Sequence, residues 1–300
     1  MRIRVIVNRG GGTLKAGDEA GIGGRIAEAF AAHDVKADIQ PTDPDKIVDA
    51  FADAAAAPGL DAVVAAGGDG TISCAAGRLA GTTRPLGILP LGTLNHLARD
   101  AGIPAALDKA VALIATGTAR PIDLGEVNGR VFVNNSSVGL YPDMVRLRDV
   151  QQERIGRSKR MAMLSASAAS FRSFRRHRLW ISAPGLEAPI RTPLLFVGNN
   201  RYQVNLFGLG RRTELDAGEL CLYAVRARSR AHLPWAGIRG IFGKLDQQRD
   251  FVTAYVPELE VSSDRSQLVV SVDGETARME TPLHYRIRAG ALRLIAPPAR

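Results

Sequence analysis

A glycine-rich segment with one acidic residue is the part of this sequence best suited to chemistry. Gly67-Gly68-Asp69-Gly70-Thr71 follows the apolar run at residues 62–66 directly. Glycines let a bulky ligand approach the backbone, and N–H groups at the start of a following helix can bind phosphate oxygens. Phosphate repels the Asp69 carboxylate unless a cation lies between them, so the segment favours a nucleotide with Mg²⁺. The same glycines also suit a plain strand-to-helix turn.

A second glycine loop spans residues 89–99 and also connects an expected strand to an expected helix. Gly92 permits close approach, and Thr93 and Asn95 offer short polar groups at the helix start. Taken alone, Thr93 is better explained as an N-cap. Two such loops at the carboxyl ends of parallel strands would face one crevice, which favours a shared ligand.

Two common nucleotide signatures are missing from the sequence. The segment nearest to a P-loop, residues 240–245, has neither its spacing nor its final hydroxyl. Residues 21–24 lack the third glycine of the dinucleotide fingerprint. A P-loop NTPase and a Rossmann dehydrogenase are therefore disfavoured.

The elements that must position both loops alternate between strand and helix. Apolar runs at residues 3–7, 35–40, 62–66 and 86–89 are each followed by helical spacing. One of these helices, at residues 46–56, is expected to start with Asp43 as N-cap and Pro44 at its first position. The next two are expected at residues 71–79 and 93–100. Such alternation predicts a doubly wound, mostly parallel sheet.

From about Asp123 the pattern changes to short strands separated by turn residues, with one helix expected at residues 158–178. We therefore expect an α/β fold whose residues 1–124 form a nucleotide-binding domain. Residues 125–300 are expected to form a β-rich, antiparallel, sandwich-like domain. The last strand, at residues 292–296, could return to the first domain.

Charge is distributed unevenly along the chain, whose formal net charge is +9. Residues 1–130 contain 13 Lys and Arg against 15 Asp and Glu, so residues 131–300 contain 26 against 15. A basic half attracts anionic headgroups, phosphate ligands or nucleic acid. Because no nucleic-acid-binding motif occurs, we expect no nucleic-acid partner.

No apolar stretch reaches the roughly 18 residues that a membrane span needs, and the first residues do not form a signal peptide. We therefore expect a cytoplasmic protein whose membrane contact, if any, is peripheral. Cys74 and Cys221 match no metal-binding spacing, so we expect two buried, reduced thiols.

Four landmarks together resemble the diacylglycerol kinase catalytic-domain family, which includes bacterial lipid kinases and the sphingosine and ceramide kinases. They are Asn8 after the first strand, the first glycine loop, Pro90-Leu91-Gly92-Thr93-Leu94-Asn95, and Val272-Asp273-Gly274-Glu275. These landmarks follow the family's order and cover nearly the whole chain.

The resemblance implies a kinase that uses ATP and Mg²⁺ to phosphorylate a lipid alcohol. It implies nucleotide contacts from Asn8, Gly67, Gly68, Asp69, Gly70, Thr71, Gly92, Thr93 and Asn95. It also implies that Glu275 is the catalytic base, that Asp69 is catalytic, and that Asp69 and Asp123 serve the Mg²⁺. On local grounds, Asp123 is equally well explained as a turn residue, and Glu275 as the residue after an Asp-Gly hairpin turn.

Among the departures of the sequence from the family pattern, two concern magnesium. His96 occupies a place where relatives often have Asp, which removes one candidate for the water network of the magnesium. Some bacterial relatives hold a structural magnesium through an aspartate just before a glycine, where this chain has Ala217. Asp216 is one residue away, so we do not assign that metal.

Lipid access is less well defined by the sequence. Phe171, Phe174, Trp180 and residues 233–239 combine aromatic and basic side chains, which suits contact with an anionic membrane surface. They could equally be core aromatics beside solvated arginines. A homodimer is a candidate oligomeric state.

Two alternative functions stay open. The first is a kinase for a soluble acceptor of the NAD kinase-like group, since related folds share the Gly-Gly-Asp-Gly loop. The second is a catalytically weak lipid- or nucleotide-binding regulator, for which His96 is the main support.

Overall fold

The computed structural model describes residues 1–10, 19–139, 177–192, 194–205, 208–212, 214–225 and 251–298. The chain divides into two compact units. The first consists of Met1–Leu124, Thr213–Ala217 and Arg288–Arg300. The second consists of Gly125–Arg212 and Gly218–Ile287.

Strands and helices alternate through the first unit, as the sequence predicts. In chain order they are β1 (Arg2–Asn8), α1 (Glu19–Ala31), β2 (Lys36–Thr42), α2 (Ile47–Ala56), β3 (Ala62–Gly67), α3 (Asp69–Leu79), β4 (Leu86–Pro90), α4 (His96–Asp100) and α5 (Leu107–Thr116). The strands lie in the order β2-β1-β3-β4, and every neighbouring pair is parallel. Every residue of β3 is buried, as expected for a parallel strand covered on both faces.

The parallel register brings three strand ends to one edge of the sheet. Val7 of β1 lies opposite Ala66 of β3, and Gly67 lies opposite Pro90 of β4. The loops that follow β1, β3 and β4 therefore leave the sheet side by side. This edge is where ligands of doubly wound sheets bind.

Helix starts differ from the sequence expectation at two places. The predicted N-cap at Asp43 is wrong, because the Lys46 N–H donates to the Asp43 carbonyl and closes a turn before α2 begins at Ile47. The helix expected from Thr93 begins only at His96, because Asn95 adopts a left-handed conformation with φ 48°. Thr93 is therefore not an N-cap.

The sequence pattern did not predict helix α5. α5 buries Ala110, Val111 and Ile114 at helical spacing. Its three buried residues are too few to stand out from the Ala-rich sequence around them.

The second unit is built from antiparallel strands. In chain order the remaining strands are β5 (Ala119–Val127), β6 (Arg130–Phe132), β7 (Asn135–Gly139), β8 (His177–Ala183), β9 (Leu186–Thr192), β10 (Leu194–Asn199), β11 (Tyr202–Asn205), β12 (Gly208–Arg212), β13 (Leu220–Val225), β14 (Phe251–Val256), β15 (Glu258–Ser263), β16 (Gln267–Val272), β17 (Glu275–Glu280) and β18 (Leu283–Ile295). β5 and β18 contribute residues to both units.

Two antiparallel layers make up most of the second unit. One has the order β14-β13-β10-β7-β16-β17, and the other contains β15, β8, β9 and the first residues of β18. Both layers contribute side chains to one apolar core, among them Leu195, Leu222, Val261 and Tyr285. The predicted fold class, a mostly parallel α/β part followed by an antiparallel β part, is confirmed.

The expectations about the helix at residues 158–178, about membrane spans and about the two cysteines can be compared with the structure only where residues are described. Residues 158–176 of the expected helix lie outside the described residues, and His177 and Arg178 belong to β8 instead. Within the described part of the chain, no helix is both long and apolar enough to cross a membrane. Cys221 is buried and burial raises the pKa of its thiol to about 11, whereas Cys74 is only half-buried.

Three buried serines distinguish the two faces of the six-stranded layer. Ser136 Oγ lies 3.1 Å from the Tyr285 hydroxyl, inside the apolar core. Ser137 and Ser271 lie opposite each other on adjacent strands. Neither of their hydroxyls has a hydrogen-bond partner among the described residues. Burial also raises the pKa of Tyr285, so its hydroxyl stays protonated and needs a partner.

We expect Ser136→Ala and Ser271→Ala to affect stability differently. Ser136→Ala leaves the buried Tyr285 hydroxyl unpaired, which should cost about 1–3 kcal/mol of unfolding free energy. Ser271→Ala removes a hydroxyl that makes no hydrogen bond, so it should change stability little or raise it. Denaturant unfolding of both variants measures the difference, and equal losses would contradict this account.

Candidate active site

The first glycine loop forms a tight bend between β3 and α3. A Cβ on Gly67 would lie 2.4 Å from Thr71 Oγ1, so a side chain at this position would collide with the start of the helix. The N-cap of α3 is Gly68, and no side chain caps the helix. The first N–H groups of an uncapped helix can receive an anion, and the helix dipole favours one there.

The second loop is held in shape by Asn95. Its Oδ1 accepts a hydrogen bond from the Gly92 N–H at 3.0 Å, and its Nδ2 donates to the Gly92 carbonyl at 2.7 Å. Thr93, between them, is exposed and its hydroxyl has no hydrogen-bond partner among the described residues. The loop therefore presents Thr93 outward on a fixed backbone.

The two loops meet through glycine. A Cβ on Gly92 would lie 2.4 Å from the Cα of Gly68, so only glycine fits at Gly92. The Leu91 N–H also donates to the Gly67 carbonyl at 3.0 Å. The predicted meeting of the two loops is thus a direct backbone contact in the structure.

Asp69 joins the two loops by its carboxylate. Oδ1 accepts from the His96 N–H at 2.6 Å, and Oδ2 accepts from the Asn95 N–H at 3.0 Å. The sequence argument was that a carboxylate in this loop needs a cation. The structure adds two backbone N–H donors, which stabilise the charged carboxylate and leave each of its oxygens a second lone pair.

Asn8 links the end of β1 to the first loop. Its Nδ2 donates to Thr71 Oγ1 at 2.8 Å, and its Oδ1 accepts from the Gly10 N–H at 2.9 Å. The structure thus brings Asn8, Thr71, Asp69 and both glycine loops together at one edge of the parallel sheet.

Asp123 binds backbone groups of other segments of the first unit. It is 2% exposed and lies within β5, so the alternative reading as a turn residue is wrong. Its Oδ1 accepts from the Gly290 N–H at 2.8 Å, and its own N–H donates to the Leu215 carbonyl at 2.7 Å. Asp123 therefore connects three segments of the first unit that lie far apart in sequence.

The structure describes the segment that was compared with the structural magnesium site, and one of the aromatic residues considered for membrane contact. Asp216 and Ala217 are exposed in the segment before β13 rather than in a strand. Trp180 on β8 is 46% exposed, so the core reading is wrong for this residue. Phe171, Phe174 and residues 233–239 lie outside the described residues.

Glu275 follows a two-residue hairpin turn between β16 and β17. Asp273 and Gly274 both have positive φ, 48° and 88°, as a type I′ turn requires. The Asp273 carboxylate accepts from the backbone N–H groups of Val133 and Asn134, each at 2.8 Å, and of Asn135 at 3.1 Å. The turn is therefore fixed to the segment between β6 and β7.

That segment is also held from its other side by buried polar side chains. Arg212, which is 3% exposed, donates to the Val133 carbonyl at 2.6 Å and to Asn134 Oδ1 at 3.0 Å. Asn199 Nδ2 donates to the Val133 carbonyl at 2.8 Å, and the Tyr202 hydroxyl donates to the Asn134 carbonyl at 2.9 Å. Sequence reasoning missed this network, because its members lie 66 to 79 residues from the backbone they bind.

The side chain of Glu275 is 71% exposed, and its Oε2 lies 2.5 Å from Nη2 of Arg130. Its Oε1 has no hydrogen-bond partner among the described residues. Glu275 thus presents one open carboxylate oxygen from a fixed turn. A carboxylate presented in this way can accept a proton from a nearby hydroxyl.

Comparison with known proteins identifies the family. The model of the diacylglycerol kinase catalytic domain matches residues 2–127. A "Probable lipid kinase YegS-like" protein of Pseudomonas aeruginosa is 33% identical over 247 residues, which cover 81% of this chain and 79% of the relative. The chain belongs to the diacylglycerol kinase catalytic-domain family. A Bacillus subtilis diacylglycerol kinase is 46% identical over 88 residues, 28% of this chain and 29% of its own.

Solved structures share the fold of this family member. A diacylglycerol kinase from Bacillus anthracis superposes with a TM-score of 0.70 at 19% identity, covering 99% of this chain and 97% of that one. Yeast NADH kinase complexed with NADH superposes with a TM-score of 0.53 at 12% identity, covering 98% and 82%. At such identities the likeness concerns the fold alone.

The two bonds of Asp69 make its amide variant informative. Asparagine has one carbonyl oxygen and an NH₂ group, so in Asp69→Asn the NH₂ would face the N–H of Asn95 or His96. We expect a loss of about 1–3 kcal/mol in unfolding free energy, since one part-buried N–H loses its acceptor.

Asp38→Asn is the matched control for a lost carboxylate. Asp38 pairs with Arg4 at 2.9 Å, but its side chain is 57% exposed, and exposed pairs contribute little to stability. Denaturant unfolding should leave the Asp38 variant near wild type. Equal stability of the Asp69 variant would show that the carboxylate does not hold the loops together.

Proposed function

We propose that the protein is an ATP-dependent lipid kinase that transfers the γ-phosphoryl group of ATP to a lipid hydroxyl. One observation carries most of the argument. The two glycine loops touch backbone to backbone beside the start of α3, where no side chain caps the helix, so its first N–H groups are available to a ligand. Phosphates are the ligands that such a surface recognises.

The phosphates of ATP would be held by the backbone of Gly68 to Thr71 and by the Gly92 to Asn95 loop. Asn8 orients the Thr71 hydroxyl, and Asn95 shapes the second loop around Gly92. Asp69 fixes the spacing between the loops through its two N–H bonds. The exposed Thr93 hydroxyl then supplies an additional donor to a phosphate oxygen.

The family resemblance assigns a magnesium ion to two carboxylates of the first unit, Asp69 and Asp123. Mg²⁺ keeps several waters and is bound through one or two carboxylates together with substrate phosphates, so it needs no closed cage of protein ligands. Within the described residues no group of three or more His, Cys, Asp or Glu side chains gathers at one point. Asp69 and Asp123 would hold the ion, which when bound neutralises charge on the β- and γ-phosphates.

Glu275 would act as the base. As the lipid oxygen bonds to the γ-phosphorus, the bond from that phosphorus to the β–γ bridging oxygen breaks and ADP leaves. The hydroxyl proton passes to Glu275 Oε1, the carboxylate oxygen that Arg130 does not occupy. A positioned base of this kind contributes about 10²- to 10⁴-fold in rate.

Substitutions at two glycines of α3 can test whether the first loop binds phosphate without disturbing the fold. A Cβ on Gly70 or on Gly77 would meet no atom within 4 Å, and both residues lie in α3. Alanine at either position should therefore leave stability unchanged or raise it by up to about 1 kcal/mol. Only Gly70→Ala should weaken ATP binding, because its methyl group would occupy space that a phosphate needs.

Isothermal titration with the ATP analogue AMP-PNP and Mg²⁺ measures this difference. We expect at least a tenfold loss of affinity for Gly70→Ala and wild-type affinity for Gly77→Ala. Wild-type affinity of both variants would mean that no ligand approaches the loop at Gly70.

Transfer of label from γ-labelled ATP to a total lipid extract tests the reaction itself. We expect label in the organic phase, and none when excess chelator removes divalent cations. Label in the aqueous phase would favour a soluble acceptor instead. Intact AMP-PNP binding without any transfer would favour a binding protein.

In the same assay, Glu275→Gln should lower turnover by roughly two orders of magnitude or more, while AMP-PNP affinity stays near wild type. Glutamine keeps the size of the side chain but cannot accept the proton. Glu280→Gln, at the exposed far end of β17, is the control and should keep wild-type turnover. Full activity of the Glu275 variant would rule out its role as base.

A further inference from the structure

Glu275 and Arg130 occupy equivalent places in two hairpins. Arg130 is the first residue after the two-residue turn Asn128-Gly129, just as Glu275 is the first after Asp273-Gly274. Asn128 and Gly129 also have positive φ, 45° and 81°. The two side chains that meet therefore start from the same position of two type I′ turns.

The turn that carries Arg130 is anchored as firmly as the turn that carries Glu275. Asn128 Nδ2 donates to the carbonyls of Glu280 at 3.0 Å and Pro282 at 3.3 Å. Asn128 Oδ1 accepts from the His284 N–H at 2.7 Å. Each hairpin thus binds, through its own turn residue, to the backbone that follows the other hairpin.

Folding stability alone gives little reason for this ion pair. The Arg130 side chain is 38% exposed and that of Glu275 is 71% exposed, and pairs of such exposure contribute little to stability. Two anchored turns, however, remove much of the freedom that a long arginine and a glutamate would otherwise have. The arrangement fixes the direction of one carboxylate.

We propose that Arg130 is a positioning residue for the catalytic carboxylate. By holding Oε2 of Glu275, it directs Oε1 toward the hydroxyl of the acceptor. This inference rests on the proposed function, in which Glu275 is the base. Arg130 acts through Glu275 and does not itself receive the proton.

The test uses Arg130→Ala in the full-length protein, with a saturating amount of lipid extract and with ATP varied up to saturation. We expect kcat to fall about tenfold or more, because a misdirected catalytic group is costly in rate. The KM for ATP and the denaturant midpoint should stay at wild-type values. Guanidinium ions at millimolar concentration should restore part of kcat, whereas sodium chloride at equal ionic strength should not.

Arg201→Ala is the control, since Arg201 is an exposed arginine that forms another ion pair in the same unit, with Glu219. It should leave kcat and its response to guanidinium unchanged. Arg130→Lys should keep part of the activity, because a lysine can hold one oxygen but lacks the planar fork of arginine.

A double variant separates this proposal from the assignment of the base. If Arg130 acts through Glu275, Arg130→Ala should add no further loss to Glu275→Gln and guanidinium should not rescue the pair. Wild-type kcat of Arg130→Ala, no rescue of it by guanidinium, or an additive loss in the double variant would overturn the positioning role while leaving the base intact. Full activity of Glu275→Gln would instead overturn both.

Discussion

The bonds from the Asn95 and His96 N–H groups to the Asp69 carboxylate are the interaction on which the candidate phosphate site depends. Asn95 has left-handed backbone geometry, so the chain there cannot satisfy its N–H groups by continuing a helix. A carboxylate that starts α3 provides the acceptors. The same contact draws the second loop against the first until Gly92 touches Gly68, which in turn forbids side chains at the point of contact.

In the second unit, Asp and Asn side chains also bind backbone groups of other segments. Asp273 satisfies three consecutive backbone N–H groups, and Asn128 satisfies two carbonyls and one N–H. Each of these residues also has the positive φ that its turn needs, so one residue both shapes a turn and attaches it. Such double use explains how short hairpins can hold the side chains of Arg130 and Glu275 at exposed positions.

Local patterns in the sequence predicted much of this structure. The alternation of strands and helices, the two glycine loops and the Asp273-Gly274 turn all follow from neighbours within a few residues, where steric and hydrogen-bonding rules are strong. Asn8 was placed near the loop only through the family resemblance. Its bond to Thr71 spans 63 residues.

What the sequence did not predict depends on partners that are distant along the chain. The two N–H partners of Asp69 lie 26 and 27 residues away, so its own glycine loop gives no sign of them. Arg212 looks like one more arginine of the basic half, yet it is buried against backbone 79 residues away. Asp123 resembles a turn residue in the sequence, because the Leu215 carbonyl and the Gly290 N–H that it binds belong to two distant segments.

The thirteen-residue strand β18 has a consequence for how the protein forms in the cell. Leu294 pairs with Leu86 of β4, so the parallel sheet gains a strand from residues made more than two hundred positions later. During synthesis, the first 124 residues leave the ribosome as an incomplete sheet whose β4 edge stays open until residues 288–295 emerge. An open edge is a site for wrong pairing with other chains. We therefore expect the parallel sheet to be completed only after residues 288–295 have been translated, rather than domain by domain. The rate of this step should be limited by the pairing of Leu294 with Leu86, which lie far apart in sequence.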